Sequence, residues 1–135
     1  GEKKRRVAAQ KAGSGPYHAE LIGQAFRALE AGDRGRAAEV FSELLATPPR
    51  DPEILHGAGI LGLEIGQPEH AERLLLHAIE QRPDHPAFRC NLAIAYRKLG
   101  KHALAIEQLT IGLQLDPGLA QAHANLGTVL LESGR

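Results

Sequence analysis

Methionine and tryptophan are absent from the 135-residue chain, cysteine occurs once, and aromatic residues make up only 4% of it. A lone Cys90 allows no disulfide framework and no thiolate metal cluster, and it fits a reducing compartment. No run reaches the roughly 18 apolar residues that a membrane-crossing helix needs, and no secretory leader is recognisable. An excess of either charge is also missing, with 16 basic side chains against 16 acidic ones. That balance argues against a nucleic-acid-binding domain, which usually carries a basic excess. The composition therefore points to a cytoplasmic protein with no membrane span, no nucleic-acid partner and no cofactor.

The zero net charge conceals an asymmetry. Lys3, Lys4, Arg5, Arg6 and Lys11 stand against Glu2 alone in the first twelve residues, a net +4, so the remainder carries −4. Residues 1–17 read as a basic extension whose default role is a solvated arm. A chain that opens on Gly1 and lacks methionine throughout reads as a piece cut from a longer protein.

Glycine, alanine and proline supply the organisation. Gly32, Gly66, Gly100 and Gly134 recur every 34 residues, Ala37, Ala71 and Ala105 follow in the same register, and so do Pro49, Pro83 and Pro117. Three residue classes sharing one period of this length mark a solenoid of repeated units. The frame divides the chain into 18–51, 52–85, 86–119 and a partial unit 120–135. Apolar spacing inside each unit is helical, each central glycine reads as a helix end, and Asp51-Pro52 and His85-Pro86 read as helix starts. Helices are expected over 18–31, 35–47, 52–65, 68–81, 86–99, 102–115 and 120–133. With no strand-like alternation the fold class is all-α.

Small residues at fixed phase imply close helix crossings. Ala25, Gly59, Ala93 and Gly127 face Ala37, Ala71 and Ala105 across that contact, while Phe41, Leu75 and Leu109 fill the layer between units. On Asn91-Leu92-Ala93, Tyr96, Gly100, Ala105, Leu109 and Pro117, and again on Leu55, Gly59, Gly66, Ala71, Leu75, Ala78 and Pro83, the chain resembles the tetratricopeptide repeat family. The first unit departs at Gln24 and Ala28. The resemblance implies a right-handed α-solenoid of stacked helix-turn-helix units, about three and a half repeats, with the first helix of each unit lining a concave groove for a protein or peptide ligand.

The family's groove positions fall on Ile22, Phe26 and Leu29 in the first unit, on His56, Ile60 and Leu63 in the second, on Asn91, Ile94, Arg97 and Lys98 in the third, and on Asn125 in the partial fourth. Ile22, Phe26, Leu29, Ile60 and Leu63 form an apolar stretch suited to a bound peptide, to the N-terminal segment or to a second copy of the chain. Asn91 and Asn125 resemble rungs of the asparagine ladder in bacterial O-linked N-acetylglucosamine transferase-type repeats. An amide has both donor and acceptor and so matches a peptide bond; the alternative is that each Asn bridges neighbouring helices. The positions with which related repeat domains grip the carboxylates of heat-shock chaperone tails are occupied by Ile22, Phe26, Gly57, Ala87 and Asn91, four of which have no polar side chain, which argues against that mode.

Chemistry finds little footing. The seven histidines form no HExxH motif and no i, i+4 pair, and they read as solvated surface residues, with Asp84-His85 as a helix cap. Cys90 has Arg89, Arg97 and Lys98 as sequence neighbours able to lower its pKa, although a small buried thiol is the simpler reading. No catalytic or metal site is expected. Helix 120–133 has no following partner and carries Val129-Leu130-Leu131, which suggests either continuation into further repeats or self-association through this end or through the apolar groove. The reading is a non-enzymatic scaffold for protein interaction; the alternative is the substrate-recruiting part of a larger transferase, such as an O-linked glycosyltransferase, a sulfotransferase or a methyltransferase.

Overall fold

The computed structural model describes residues 1–3 and 15–134. Most of the basic arm lies outside the described residues. From residue 15 onward the chain forms α1 (Gly15–Glu30), α2 (Arg34–Ala46), α3 (Pro52–Glu64), α4 (Pro68–Gln81), α5 (Pro86–Lys98), α6 (His102–Leu115) and α7 (Ala120–Glu132). All but the first begin and end within a residue of the expected positions. The exception, α1, is already helical at Gly15, where the described residues resume, three residues ahead of the expected start.

Starts and stops are built from the local sequence. Asp51 caps α3 through its carboxylate, which accepts from the backbone N–H of Glu53 at 2.8 Å and of Ile54 at 3.3 Å, and Pro52 follows at the first helical position. Asp33 caps α2 in the same way through Arg36 N at 3.0 Å. At the other end, the four 34-spaced glycines all have φ between 75° and 81°. After α3, Gly66 N–H bonds the Leu63 carbonyl at 3.2 Å and Gln67 N–H bonds that of Gly62 at 2.8 Å, a pairing repeated around Gly32 and Gly100. This double closure needs a left-handed residue, and glycine adopts that conformation without a Cβ penalty.

Packing explains the alanines. Ala25, Ala37, Ala58, Ala71 and Ala105 have no exposed surface, and neither do Phe41, Leu44, Leu55, Leu75, Leu92 and Leu109 around them. A Cβ on Gly59 would stand 2.7 Å from Leu75 Cγ, and one on Gly62 would stand 2.9 Å from Phe41 Cζ. The backbone of α3 therefore lies against two large side chains from the second-helix layer. Gly127, the counterpart of Gly59 in α7, has open space there.

The order of contacts sets the curvature. Each first helix packs on the next first helix, α1 on α3, α3 on α5 and α5 on α7, whereas among the described residues the backbones of α2, α4 and α6 stand further apart and side chains bridge them, as where the Phe41 ring lies edge-on to that of His70 with centroids 6.1 Å apart. A layer whose backbones approach closely, backed by one whose backbones stand further apart, bends toward the closer side. The first helices therefore form the concave wall.

Candidate functional site

Along that wall neighbouring helices meet in a constant register, residue n facing residue n+35. Ile22 Cδ1 comes within 3.4 Å of where a Cβ on Gly57 would be, the His56 ring meets the Asn91 amide, and Arg97 meets Glu132. Cys90 and Asn125 share the same spacing. The eleven candidate groove residues all lie on these four helices.

Their surfaces differ. Ile22, Phe26, Leu29 and Ile94 are half-buried and packed against the core, and Ile60 is half-buried. Leu63 is 6% exposed and is part of the core itself, so the apolar stretch open to a ligand consists of its neighbours. Among the described residues the most exposed large apolar side chain is Leu131 on α7, at 81%. Lys98 is exposed, while Arg97 bonds Glu132 Oε1 through Nη1 at 3.1 Å and leaves its Nε buried without a hydrogen-bond partner.

The two asparagines are not equivalent. Asn91 is 8% exposed, and its Nδ2 lies 2.7 Å from His56 Nε2 and 3.1 Å from the Ala87 carbonyl oxygen, so it bridges α3 and α5. Asn125 is half-buried, and its Nδ2 is shielded from water with no partner. In the n+35 register His56 offers Asn91 a ring nitrogen, whereas the residue 35 before Asn125 is Cys90, and no hydrogen bond joins those two.

Three histidines correct the surface reading. His18 is 1% exposed, with Nε2 unpartnered. His85 occupies the cap position of α5 but makes no capping bond; its ring instead stacks on Phe88 with centroids 3.9 Å apart and planes 5° apart. His56 lies 4.7 Å from the same phenyl ring and 6.2 Å from His85. Glu53 closes the cluster, bonding Arg82 Nη1 at 2.9 Å and approaching His85 Nε2 at 3.3 Å. Burial pushes His56 below the ordinary histidine value, with Glu53 opposing and His85 reinforcing.

The cluster escaped sequence reading because the contacts of Glu53 and His56 with Arg82, His85, Phe88 and Asn91 join residues 29 to 35 apart. The signal was present in the n+35 register, which pairs His56 with Asn91. Cys90 is fully buried, and burial followed by the Asp116 charge raises its pKa, so the basic sequence neighbours do not activate it. Arg89 is turned away onto the Pro83 carbonyl and Gln108. Among the described residues no group of three or more His, Cys, Asp or Glu side chains is placed to hold a metal ion, and no helix is long and apolar enough to cross a membrane.

Two tetratricopeptide repeat models match the chain, one over residues 28–93 and the other over 90–135. Protein FlbA of Caulobacter vibrioides is 31% identical over 120 residues, which cover 85% of this chain and 20% of FlbA. An O-GlcNAc transferase mutant from Thermobaculum terrenum is 27% identical with a TM-score of 0.66, over 84% of this chain and 22% of that one. The first repeat domain of Spaghetti (RPAP3), bound to an HSP90 peptide, superposes with a TM-score of 0.73 at 14% identity, over 91% of this chain and 98% of that one. The chain spans about a fifth or less of the curated relatives it matches. Glycine-closed helix pairs of constant period, stacked into one curved wall and matched by those models from residue 28 to 135, place the chain in the tetratricopeptide repeat family.

Proposed function

We propose that the concave wall holds an extended peptide segment of a partner protein, and that the chain is a non-enzymatic interaction scaffold acting through residues 18–135. The observation that carries this reading is a pair of buried, unpartnered N–H donors, Arg97 Nε and Asn125 Nδ2, on the groove helices α5 and α7. A buried donor without an acceptor costs about 1–3 kcal/mol, and a ligand carbonyl or carboxylate would recover it once the side chain turns toward the groove. Ile22, Phe26, Ile60 and Ile94 supply the apolar surface beside them. The peptide complex of the Spaghetti domain supports the mode of use, but not the same ligand class, since Ile22, Phe26, Gly57 and Ala87 occupy the positions that would clamp a chaperone tail.

Selection from a displayed random-peptide library, followed by calorimetry with the selected peptides, tests the proposal. Ile60→Asp and Asn125→Ala should each weaken binding at least tenfold while retaining the helical circular dichroism of the wild type. Equal affinity in both variants would sink the groove assignment.

The transferase reading rests on a different observation, the 27% identity to about a fifth of the O-GlcNAc transferase chain. On that reading this chain recruits substrate, in a reducing cytoplasmic setting, for a catalytic part elsewhere in the parent, and the repeats are of that transferase type. Self-association is the further alternative at α7, where Leu131 is 81% exposed and Gly127 faces open space. Sedimentation velocity at high concentration decides it, a strict monomer ruling it out.

A further inference from the structure

The orientation of the Asn91 amide is fixed by its two contacts. The Ala87 carbonyl only accepts, so the atom 3.1 Å from it must be the nitrogen, and that nitrogen's second hydrogen points at His56 Nε2, 2.7 Å away. His56 must then accept at Nε2, which requires a neutral ring carrying its proton on Nδ1. Both donors of Asn91 are consumed inside the protein. Among the described residues its Oδ1 receives no hydrogen bond, so Asn91 presents a ligand with an acceptor alone.

Protonation of His56 would put an N–H donor against the Nδ2 hydrogens at hydrogen-bond distance. The contact is relieved when the amide turns over and swings away from the Ala87 carbonyl, which would repel Oδ1, so that Oδ1 accepts a charge-assisted bond from the imidazolium. Nδ2 then gives up both internal partners. We propose that His56 and Asn91 form a proton-operated switch in the groove: neutral His56 makes Asn91 a reader of peptide N–H groups, and protonated His56 frees Nδ2 to donate to peptide carbonyls.

The surroundings set where that transition falls. On its own helix His56 faces Glu53, which favours the charged ring but is itself engaged by Arg82 at 2.9 Å. From the start of α5 come His85, which opposes the charge, and the uncharged Phe88 and Asn91. No charge on α1 or α2 acts on the ring. Burial holds it neutral at neutral pH. Asn125 lacks the device, because Cys90 stands where a histidine would be needed.

The ligand side of this switch rests on the peptide-binding reading, but the coupling belongs to the free protein and is tested there. Nitrogen-15 NMR of the full chain between pH 8 and pH 5 should show the Nδ1–H tautomer of His56 at the upper end. The Asn91 side-chain amide resonances should then move with the same midpoint as the His56 ring. Asn91→Ala should shift that midpoint downward, because the charge-assisted bond that the imidazolium loses is stronger than the Nδ2–H bond that the neutral ring loses, and His56→Gln should abolish the Asn91 transition. An Nε2–H tautomer, Asn91 resonances that stay fixed while His56 titrates, or an unmoved midpoint in Asn91→Ala would each overturn the proposal. Failure to find any bound peptide would leave these readouts intact, and so would count only against the groove function.

Discussion

Gly59 and Leu75 are packed so closely that a single added methyl group would lie 2.7 Å from Leu75 Cγ and 2.9 Å from its Cδ2. The atom approached first is the branch carbon of a fully buried side chain, which cannot swing away. Gly59→Ala gains about 1 kcal/mol of helix propensity but meets about 1–3 kcal/mol of overpacking. Urea unfolding should therefore show a net loss of stability. Gly127→Ala, in open space on α7, should show a gain of up to about 1 kcal/mol. In a Leu75→Ala background the Gly59→Ala loss should vanish, which a double-mutant cycle would register.

The turn glycines fail for a different reason. Gly66 has φ 79° and nothing within 4 Å of where a Cβ would stand, so an alanine there would meet only its own backbone. Gly66→Ala should cost about 1–2 kcal/mol in thermal or urea unfolding, the usual penalty for an L-residue in the left-handed region. Gly66→Asn should cost less, since asparagine visits that region more readily. Equal losses in the two variants would mean that the turn is not the constraint.

His56 also ties global stability to pH. Its folded-state pKa lies below the ordinary value of 6.5, so the unfolded chain binds the proton more readily. Stability is then full above that ordinary value, declines as pH falls through it, and levels off once the folded-state value is passed. His56→Gln keeps an acceptor for Asn91 and removes the titration. Its unfolding free energy should vary less between pH 7.5 and pH 5.5 than that of the wild type, whereas parallel curves would exclude His56 as a source of the slope.

Cys90 reports on opening of the third unit. Its thiol is fully buried and its pKa is raised by burial, so both access and thiolate fraction are low. Alkylation at pH 8 should be roughly a thousandfold slower in the native protein than in the urea-unfolded chain. Rapid native labelling would mean that α5 separates easily from α6.

Much of this architecture was readable in advance because its causes are local. A left-handed glycine, an aspartate before a proline and an alanine at a crossing each act within one turn of helix, and their 34-residue recurrence announces the stacking. The groove wall was reachable through the family pattern, but its chemistry was not. Whether Asn91 is free or engaged depends on His56, 35 residues away, and nothing within its own unit tells that Asn125 Nδ2 is left without a partner. Likewise Leu63 disappears into the core although it shares its helical phase with Leu131, which α7 leaves exposed. Those outcomes depend on which side chain the neighbouring unit presents, and no single unit contains that information.

The wider backbone spacing among α2, α4 and α6, bridged by side chains such as Phe41 and His70, has a mechanical corollary. A curved strip bonded tightly along its inner edge and loosely along its outer edge can change its radius by hinging at each inner seam, with less resistance from the back. Elastic compliance is thus directional: the groove can tighten or widen about a ligand while the double-closed turns and the helix pairs themselves move as rigid links. Force applied along the chain would straighten this spring before it unfolded any link.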